Sequence, residues 1–572
     1  MRDRLGLHKY TALLMLSAVF ISSLPLFLTL IPEGIDMRFH LMRIQGVADA
    51  ILEGQIPAVI FPNAMYGHGY LGALYPETLL YPAAALRLCG IPMIAIWKIV
   101  AFCSNAATFA ACLFAWKRIL KDEGAAAVGA FLYTLSPLRI AELYYRGALG
   151  EILALIFLPF VLSGMYAILM GEEGRWWELA LGMTGILESH VLTAVFATGI
   201  CLFLIIVLFR NFLLKKRFLA FAKAVSLSLL LNLGFILPFF YYKGQKLKFD
   251  EVIRTFSPAG VSISIGNMLG SFPRQKSDPT AALDHADIRP GIGYVGLLSL
   301  ILAIAYIVFV RSDELLHRFA SGLLILTLLS VYVASDSFPW ESLKKLERIY
   351  YQIRIIQHPW RFLMIAVLLL SLLAAFALRA EFGLAKRGKT ISFVLIFLTL
   401  ITVLPEIDLF ISKENEDDAL GLEDVDYAST SNIDYAPYSM PMVREMKEDR
   451  EPVASYGVEI ENYAKKGTSA EIEYSVKDSD GGKWIRFPLL YYRGYTAFDQ
   501  NGKRLNVNES EIGTVSVDIP EDSAGGSVRL HFAQPWFNYL SATVSIIAAL
   551  CCGAYALKRY LQGKRVRTLK KE

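Results

Sequence analysis

Apolar residues in this chain gather into long runs separated by short polar stretches. The runs fall near residues 11–31, 93–115, 124–140, 150–170, 176–188, 190–209, 218–240, 291–311, 317–334, 361–378, 389–406 and 536–557. A helix rises about 1.5 Å per residue, so crossing roughly 30 Å of hydrocarbon takes about 20 of them. The pattern therefore predicts a mainly α, polytopic membrane protein with about twelve transmembrane helices. Between residues 407 and 534 the pattern changes to period-two alternation, in Ala470–Val476, Lys483–Tyr492 and Gly513–Ile519, with an Asn501-Gly502 turn. Alternation of that kind predicts an antiparallel β-domain, a sandwich or jelly roll.

Composition agrees with a lipid environment. Of the 572 residues 55% are hydrophobic and 19% charged, with a mean hydropathy of +0.45, more apolar surface than a soluble core can hide. The net charge of +4 is small. Lys and Arg fall in clusters between apolar runs: Arg2, Arg4 and Lys9; Lys117, Arg118 and Lys121; Arg210, Lys215, Lys216 and Arg217; Lys386, Arg387 and Lys389; and Lys558 to Lys571. That distribution orients a membrane protein and does not build a nucleic-acid surface. All six cysteines (Cys89, Cys103, Cys112, Cys201, Cys551, Cys552) lie in or beside apolar runs, so neither a disulfide framework nor a cysteine zinc site is indicated.

With twelve crossings every basic cluster falls on the cytoplasmic side, as do both termini. The first run has the basic flank of a signal peptide but is long enough to span and lacks a clear small-residue cleavage site, so it reads as an uncleaved helix. The organisation expected is a membrane domain over 1–406, with external loops at 32–92 and 241–290. An extracytoplasmic linker and β-domain follow over 407–534, then a last helix and basic cytoplasmic tail over 535–572.

Chemistry concentrates in the first external loop. If Met37 onward is helical, Asp36, His40 and Arg43 sit at i, i+4 and i+7 and share one face. The expected topology puts Glu77, Arg146, Glu151, Glu188 and His190 at the same depth on the outer side. Charges at helix ends in a bilayer are costly unless paired, hydrated or used, and their convergence on one leaflet points to a site. Taken singly, each also reads as a structural ion pair or an interfacial anchor. Carboxylates beside a histidine suit a divalent cation such as Mg or Mn, although the spacing matches no zinc motif.

Several stretches resemble a group of bacterial membrane proteins in the GT-C glycosyltransferase superfamily that carry the label "6-pyruvoyl-tetrahydropterin synthase-related". They are Asp36-Met-Arg-Phe-His40 with Arg43, Tyr66-Gly-His-Gly-Tyr70 leading to Tyr75-Pro-Glu77, Tyr145-Arg146-Gly-Ala-Leu-Gly-Glu151, Glu188-Ser-His190 and Gln357-His-Pro-Trp-Arg361. The resemblance is good over the first third of the chain and looser afterwards. The pterin label does not suit the residues, because no histidine set of the soluble zinc synthase is present.

The resemblance implies a GT-C-like fold and transfer of a sugar from a polyprenyl-phosphate carrier to an envelope glycan, lipid or protein. Asp36 matches the acidic position that such enzymes carry in the first external loop. It would act as general base or metal ligand, with Glu77 and Glu151 as further acidic groups. Arg43, Arg146 or Arg361 would neutralise the departing lipid phosphate, while His40, Glu188 and His190 would orient the base or hold metal. The family often places a second acidic residue two positions on, and position 38 here is Arg38.

Two other classes fit many helices: a transporter or lipid flippase, and a non-catalytic scaffold whose β-domain binds envelope polymers. A transporter would place charges near the bilayer midplane and show repeats or paired broken helices. The octet Gly383 to Thr390 satisfies the P-loop pattern letter by letter, but it bridges two apolar runs where no parallel-sheet domain has room. Asn508-Glu-Ser510 matches a glycosylation sequon, a pattern frequent by chance.

Overall fold

A computed structural model describes residues 2–255, 257–269, 291–310, 313–379, 388–414, 420–421, 434–440, 443–478 and 482–569. Most of the P-loop-like octet and much of the segments 241–290 and 407–450 lie outside the described residues. The chain is a mainly helical, multi-pass membrane protein with a β-strand region near its C-terminus. It forms two compact units. One comprises Met1–Gln45, Thr78–Ala224 and Glu251–Tyr427, the other Gly46–Glu77, Val225–Asp250 and Ala428–Glu572.

Twelve spans are not what is found. Among the described residues six helices are long and apolar enough to cross a bilayer: Met93–Leu120, Leu149–Met170, Glu314–Ala334, Pro359–Leu378, Gly388–Ser412 and Trp536–Gln562. Two bent pairs raise the number to eight if each is one span. The apolar run near 124–140 breaks at Pro137 into Glu123–Thr134 and Pro137–Tyr145, at 45°, and the run near 218–240 breaks at Asn232 by 68°. Ser23 and Pro25 end the first helix at Ser22, well short of Ile31. The run near 176–188 yields the 11-residue helix Trp177–Leu187, about 16 Å at 1.5 Å per residue. Val191–Val207 and Gly293–Phe309, at 17 residues each, also stay short of the span criterion. Apolar content measures what can sit in lipid; proline, serine and asparagine decide where a helix stops.

In the first unit Leu363–Leu378 is buried along almost its whole length. It packs on Glu123–Thr134, Gly293–Phe309 and Glu314–Ala334. Lipid tails are as apolar as leucine, so close helix approach depends on small residues. Between Leu149–Met170 and Trp177–Leu187 that role falls to Gly164 and Gly182. A Cβ on Gly164 would lie 2.2 Å from the Leu179 backbone nitrogen, and one on Gly182 would lie 2.6 Å from that of Val161.

The second unit carries a short hairpin, β1 (Ile60–Phe61) with β2 (Tyr70–Leu71), and a sandwich. The strands of the sandwich are β3 (Val453–Ala454), β4 (Val458–Lys466), β5 (Ser469–Val476), β6 (Lys483–Leu490), β7 (Tyr495–Asp499), β8 (Arg504–Leu505), β9 (Val507–Glu509), β10 (Thr514–Ile519) and β11 (Gly525–Phe532). They form two antiparallel sheets, ordered β3-β6-β10-β9 and β4-β5-β11-β7-β8. Alternate residues of both sheets, among them Ile472, Phe487, Val515, Val517 and Val528, share one apolar core, as the period-two pattern requires. Among the described residues neither sheet closes into a barrel. Three pairings, β4–β5, β7–β8 and β9–β10, join strands adjacent in sequence, and the other four, β3–β6, β6–β10, β5–β11 and β7–β11, join strands separated by others. The stretch before β1 docks on the sandwich through Glu53, whose carboxylate accepts from the Thr468 hydroxyl at 3.2 Å. Below it, Leu233–Lys243 packs on the last helix, with Ser545 Oγ accepting from the Gly234 N–H at 2.9 Å.

Candidate active site

Local sequence sets up the site before any charge is considered. The backbones at Gly34–Asp36 and Tyr145–Gly147 run against each other: Ile35 N–H donates to the Tyr145 carbonyl at 3.2 Å and Asp36 N–H to the Arg146 carbonyl at 2.7 Å. Only glycine permits this approach. A Cβ on Gly34 would sit 2.7 Å from Gly147 N, and Gly147 itself has φ +63° with Met37 Cβ 2.8 Å from where its own Cβ would be. Asp36 thereby immediately precedes the helix Met37–Leu52, whose N-terminal dipole favours an anion.

On the other side of this backbone contact the helix broken at Pro137 continues into a π-helical turn, Ala141–Tyr145, a distortion frequent at functional sites. The turn presents Glu142 and Arg146 together. Arg146 bridges three carboxylates: Asp36 Oδ2 at 2.5 Å, Glu142 Oε2 at 2.7 Å and Glu151 Oε1 at 2.8 Å. Glu151, in the first turn of Leu149–Met170, also takes Nε and Nη2 of Arg361 on the same oxygen, at 3.1 and 2.8 Å. Its Oε2 is buried and has no hydrogen-bond partner among the described residues. Arg361 is held from behind by the Ile356 carbonyl and Gln357 Oε1, both at 2.8 Å. Trp360 lies under both guanidinia, 5.1 Å from Arg146 and 5.9 Å from Arg361, and His358 stacks on its ring.

The histidines complete the array as neutral groups. Arg43 Nη1 donates to His40 Nδ1 at 2.9 Å, which requires that nitrogen to be unprotonated. Burial, then the Arg43 charge, holds the His40 pKa well below its ordinary value, with His190 and Arg146 adding to the effect. His190 precedes the helix Val191–Val207 and caps it, Nδ1 accepting from Thr193 N–H at 3.3 Å. Burial pushes its pKa down to about 3, the guanidinia of Arg361, Arg146 and Arg43 acting in the same sense and Glu151 against them.

The structure therefore brings Asp36, His40, Arg43, Arg146, Glu151, His190 and Arg361 into one array. Glu188, next to it in sequence, is buried and accepts from the Thr78 side chain. Glu77 is buried and belongs to the second unit. Glu142 is the member that sequence reasoning missed, and Gln357 and Trp360 stood within a stretch it quoted without being given a role. A carboxylate four residues before Arg146 was a usable signal for the first.

Several solved structures are similar to this chain. The arabinofuranosyltransferase AftD from Mycobacteria matches at a TM-score of 0.44 and 14% identity, over 71% of this chain and 27% of its own. The apo oligosaccharyltransferase of Archaeoglobus fulgidus matches at 0.42 and 12%, over 72% and 56%. ArnT from Cupriavidus metallidurans, bound to undecaprenyl phosphate, matches at 0.28 and 11%, over 90% and 98%. The chain thus spans about a quarter of the first and just over half of the second. At these scores the likenesses carry no chemistry across. No protein-family model matches the chain and no curated protein does, so the pterin-synthase-related resemblance gains no support.

The carboxylates of Asp36, Glu142 and Glu151 converge on the Arg146 guanidinium, and no group of three or more His, Cys, Asp or Glu side chains placed to hold a metal ion is found among the described residues. The array offers one accessible carboxylate. Most members are buried, Glu142 and Glu151 to 3% exposure, whereas 34% of the Asp36 side chain is accessible. Its Oδ2 is pinned by Arg146, and Oδ1 makes no hydrogen bond among the described residues.

Proposed function

We propose that this chain is a GT-C-type membrane glycosyltransferase that moves a sugar from a polyprenyl-phosphate carrier to an envelope glycan, lipid or protein. The observation that supports it is the accessible carboxylate of Asp36 at the edge of a buried, charge-balanced array. In this reading the acceptor hydroxyl gives its proton to Asp36 Oδ1 as its oxygen attacks the anomeric carbon of the donor. The bond from that carbon to the phosphate oxygen breaks, and the lipid phosphate leaves with the electron pair.

Arg146 fixes the orientation of Asp36 by holding Oδ2. Glu151, with two guanidinia on one oxygen, is an anchor for Arg146 and Arg361 and a poor base. A guanidinium matches phosphate oxygens in shape, so the arginines of the array are the groups that would receive the leaving phosphate. His40 and His190, both neutral, serve as positioning residues. We further place both termini in the cytoplasm, with the site and the β-rich region outside, where a lipid-borne donor reaches the array from within the membrane and nucleotide sugars do not.

Asp36→Asn is the decisive variant. It keeps the shape and removes the base, and loss of a general base costs about 100-fold or more. Transfer from a radiolabelled polyprenyl-phosphate sugar by membranes of a producing strain should fall by that factor at unchanged protein abundance. Undiminished transfer would refute Asp36 as base, and cysteine labelling of the 32–36 loop from the cytoplasm would refute the placement.

A further inference from the structure

The five-stranded sheet of the sandwich carries a second site on the face turned away from the core. Register places one rung of side chains across it: Ala464 on β4 opposite Glu471 on β5, Glu471 opposite Arg529 on β11, and Arg529 opposite Phe498 on β7. Over this rung and the next lies a groove of about 600 Å³, within the range of small-ligand pockets, about 300–1,000 Å³. Part of its lining is aromatic. Phe498 and His531 stack at 5.5 Å with their planes 10° apart, and His531 Nε2 is within 3.0 Å of Thr496 Oγ1, which fixes the ring.

The walls are mostly cationic. Lys465, Lys466 and Arg529 line the groove against the single carboxylate of Glu471. Lys465 donates to the Gly67 carbonyl, but the side chains of Lys466 and Arg529 make no hydrogen bond or ion pair among the described residues. Arg529 and Glu471 stand opposite each other on neighbouring strands without forming an ion pair, and both line the groove.

From this juxtaposition we infer that the groove binds an acidic saccharide chain. The apolar C–H face of a sugar ring suits an outer face of the stacked Phe498–His531 pair. A uronic carboxylate suits the fork of Arg529 and the ammonium of Lys466. A neutral saccharide leaves the cations unused, and a polyanion without sugar rings leaves the aromatic pair uncovered. The inference goes beyond sugar transfer and does not need it, because binding is measured without donor or turnover.

The test is calorimetric titration of the full chain, in nanodiscs of zwitterionic lipid, with a hexamer of galacturonic acid, its carboxyl-reduced counterpart and a hexamer of glutamate. The uronic hexamer is expected to bind, and to bind at least tenfold more weakly after carboxyl reduction, in Phe498→Ala and in Arg529→Gln. Arg529 is exposed, so its variant remains decisive if Phe498→Ala fails to fold. The inference is overturned if the uronic hexamer does not bind at millimolar concentration, if glutamate hexamer binds equally well, or if Arg529→Gln leaves affinity unchanged.

Discussion

Replacing Arg146 by Met keeps an unbranched stem over the Trp360 ring and deletes the charge that three carboxylates share. The cost is not spread evenly among them. Glu151 retains Nε and Nη2 of Arg361 at 3.1 and 2.8 Å. Asp36, with 34% of its side chain accessible, recovers hydration. Glu142, 3% exposed, loses its one ion-pair partner among the described residues. Removing one member of a buried pair typically costs about 3–5 kcal/mol, because a charge is stranded, and most of that should arise from Glu142. Adding Glu142→Gln to Arg146→Met removes the stranded charge and should restore roughly 2–3 kcal/mol, the remaining deficit being lost hydrogen bonds. Reversible unfolding in mixed micelles, read by near-ultraviolet circular dichroism for both single variants and the double, gives the coupling directly. If Arg146→Met lies within about 0.5 kcal/mol of the parent, or if the two losses simply add, Arg146 is not the bridge described here.

Gly34→Ala places a methyl 2.7–2.9 Å from Gly147 N, Arg146 C and the Tyr144 carbonyl oxygen. It should cost roughly 1–3 kcal/mol and lower transfer by displacing Asp36, whereas Gly199→Ala, with nothing within 4 Å, should leave transfer unchanged; equal transfer rates for the two would refute the close approach. His40 has a pKa well below its unfolded value of about 6.5, so the unfolded chain binds more protons just under that pH. Its contribution is therefore complete above about pH 6.5 and is lost as pH falls, with a slope of at most about 1.4 kcal/mol per unit. His40→Gln should flatten the stability profile between pH 6.5 and 5, and an unchanged profile would mean that His40 is not buried neutral.

The sequence by itself determined the membrane class, the shared face of Asp36, His40 and Arg43, and the alternation of the C-terminal strands. These follow from composition and from the repeat of one helix or strand, which adjacent residues carry. What tertiary structure decided is which charges meet. Asp36 reaches Arg146 across 110 positions and Glu151 reaches Arg361 across 210, and no local period encodes such pairs. The number of spans also belonged to tertiary structure, because hydropathy counts apolar residues while the breaks at Pro137 and Asn232 turn on backbone hydrogen bonding that neighbouring helices must satisfy. The sandwich's strand order and the groove on its outer face depend on which strands pair, and pairing is fixed by the burial of distant residues such as Phe487 and Val528 in one core.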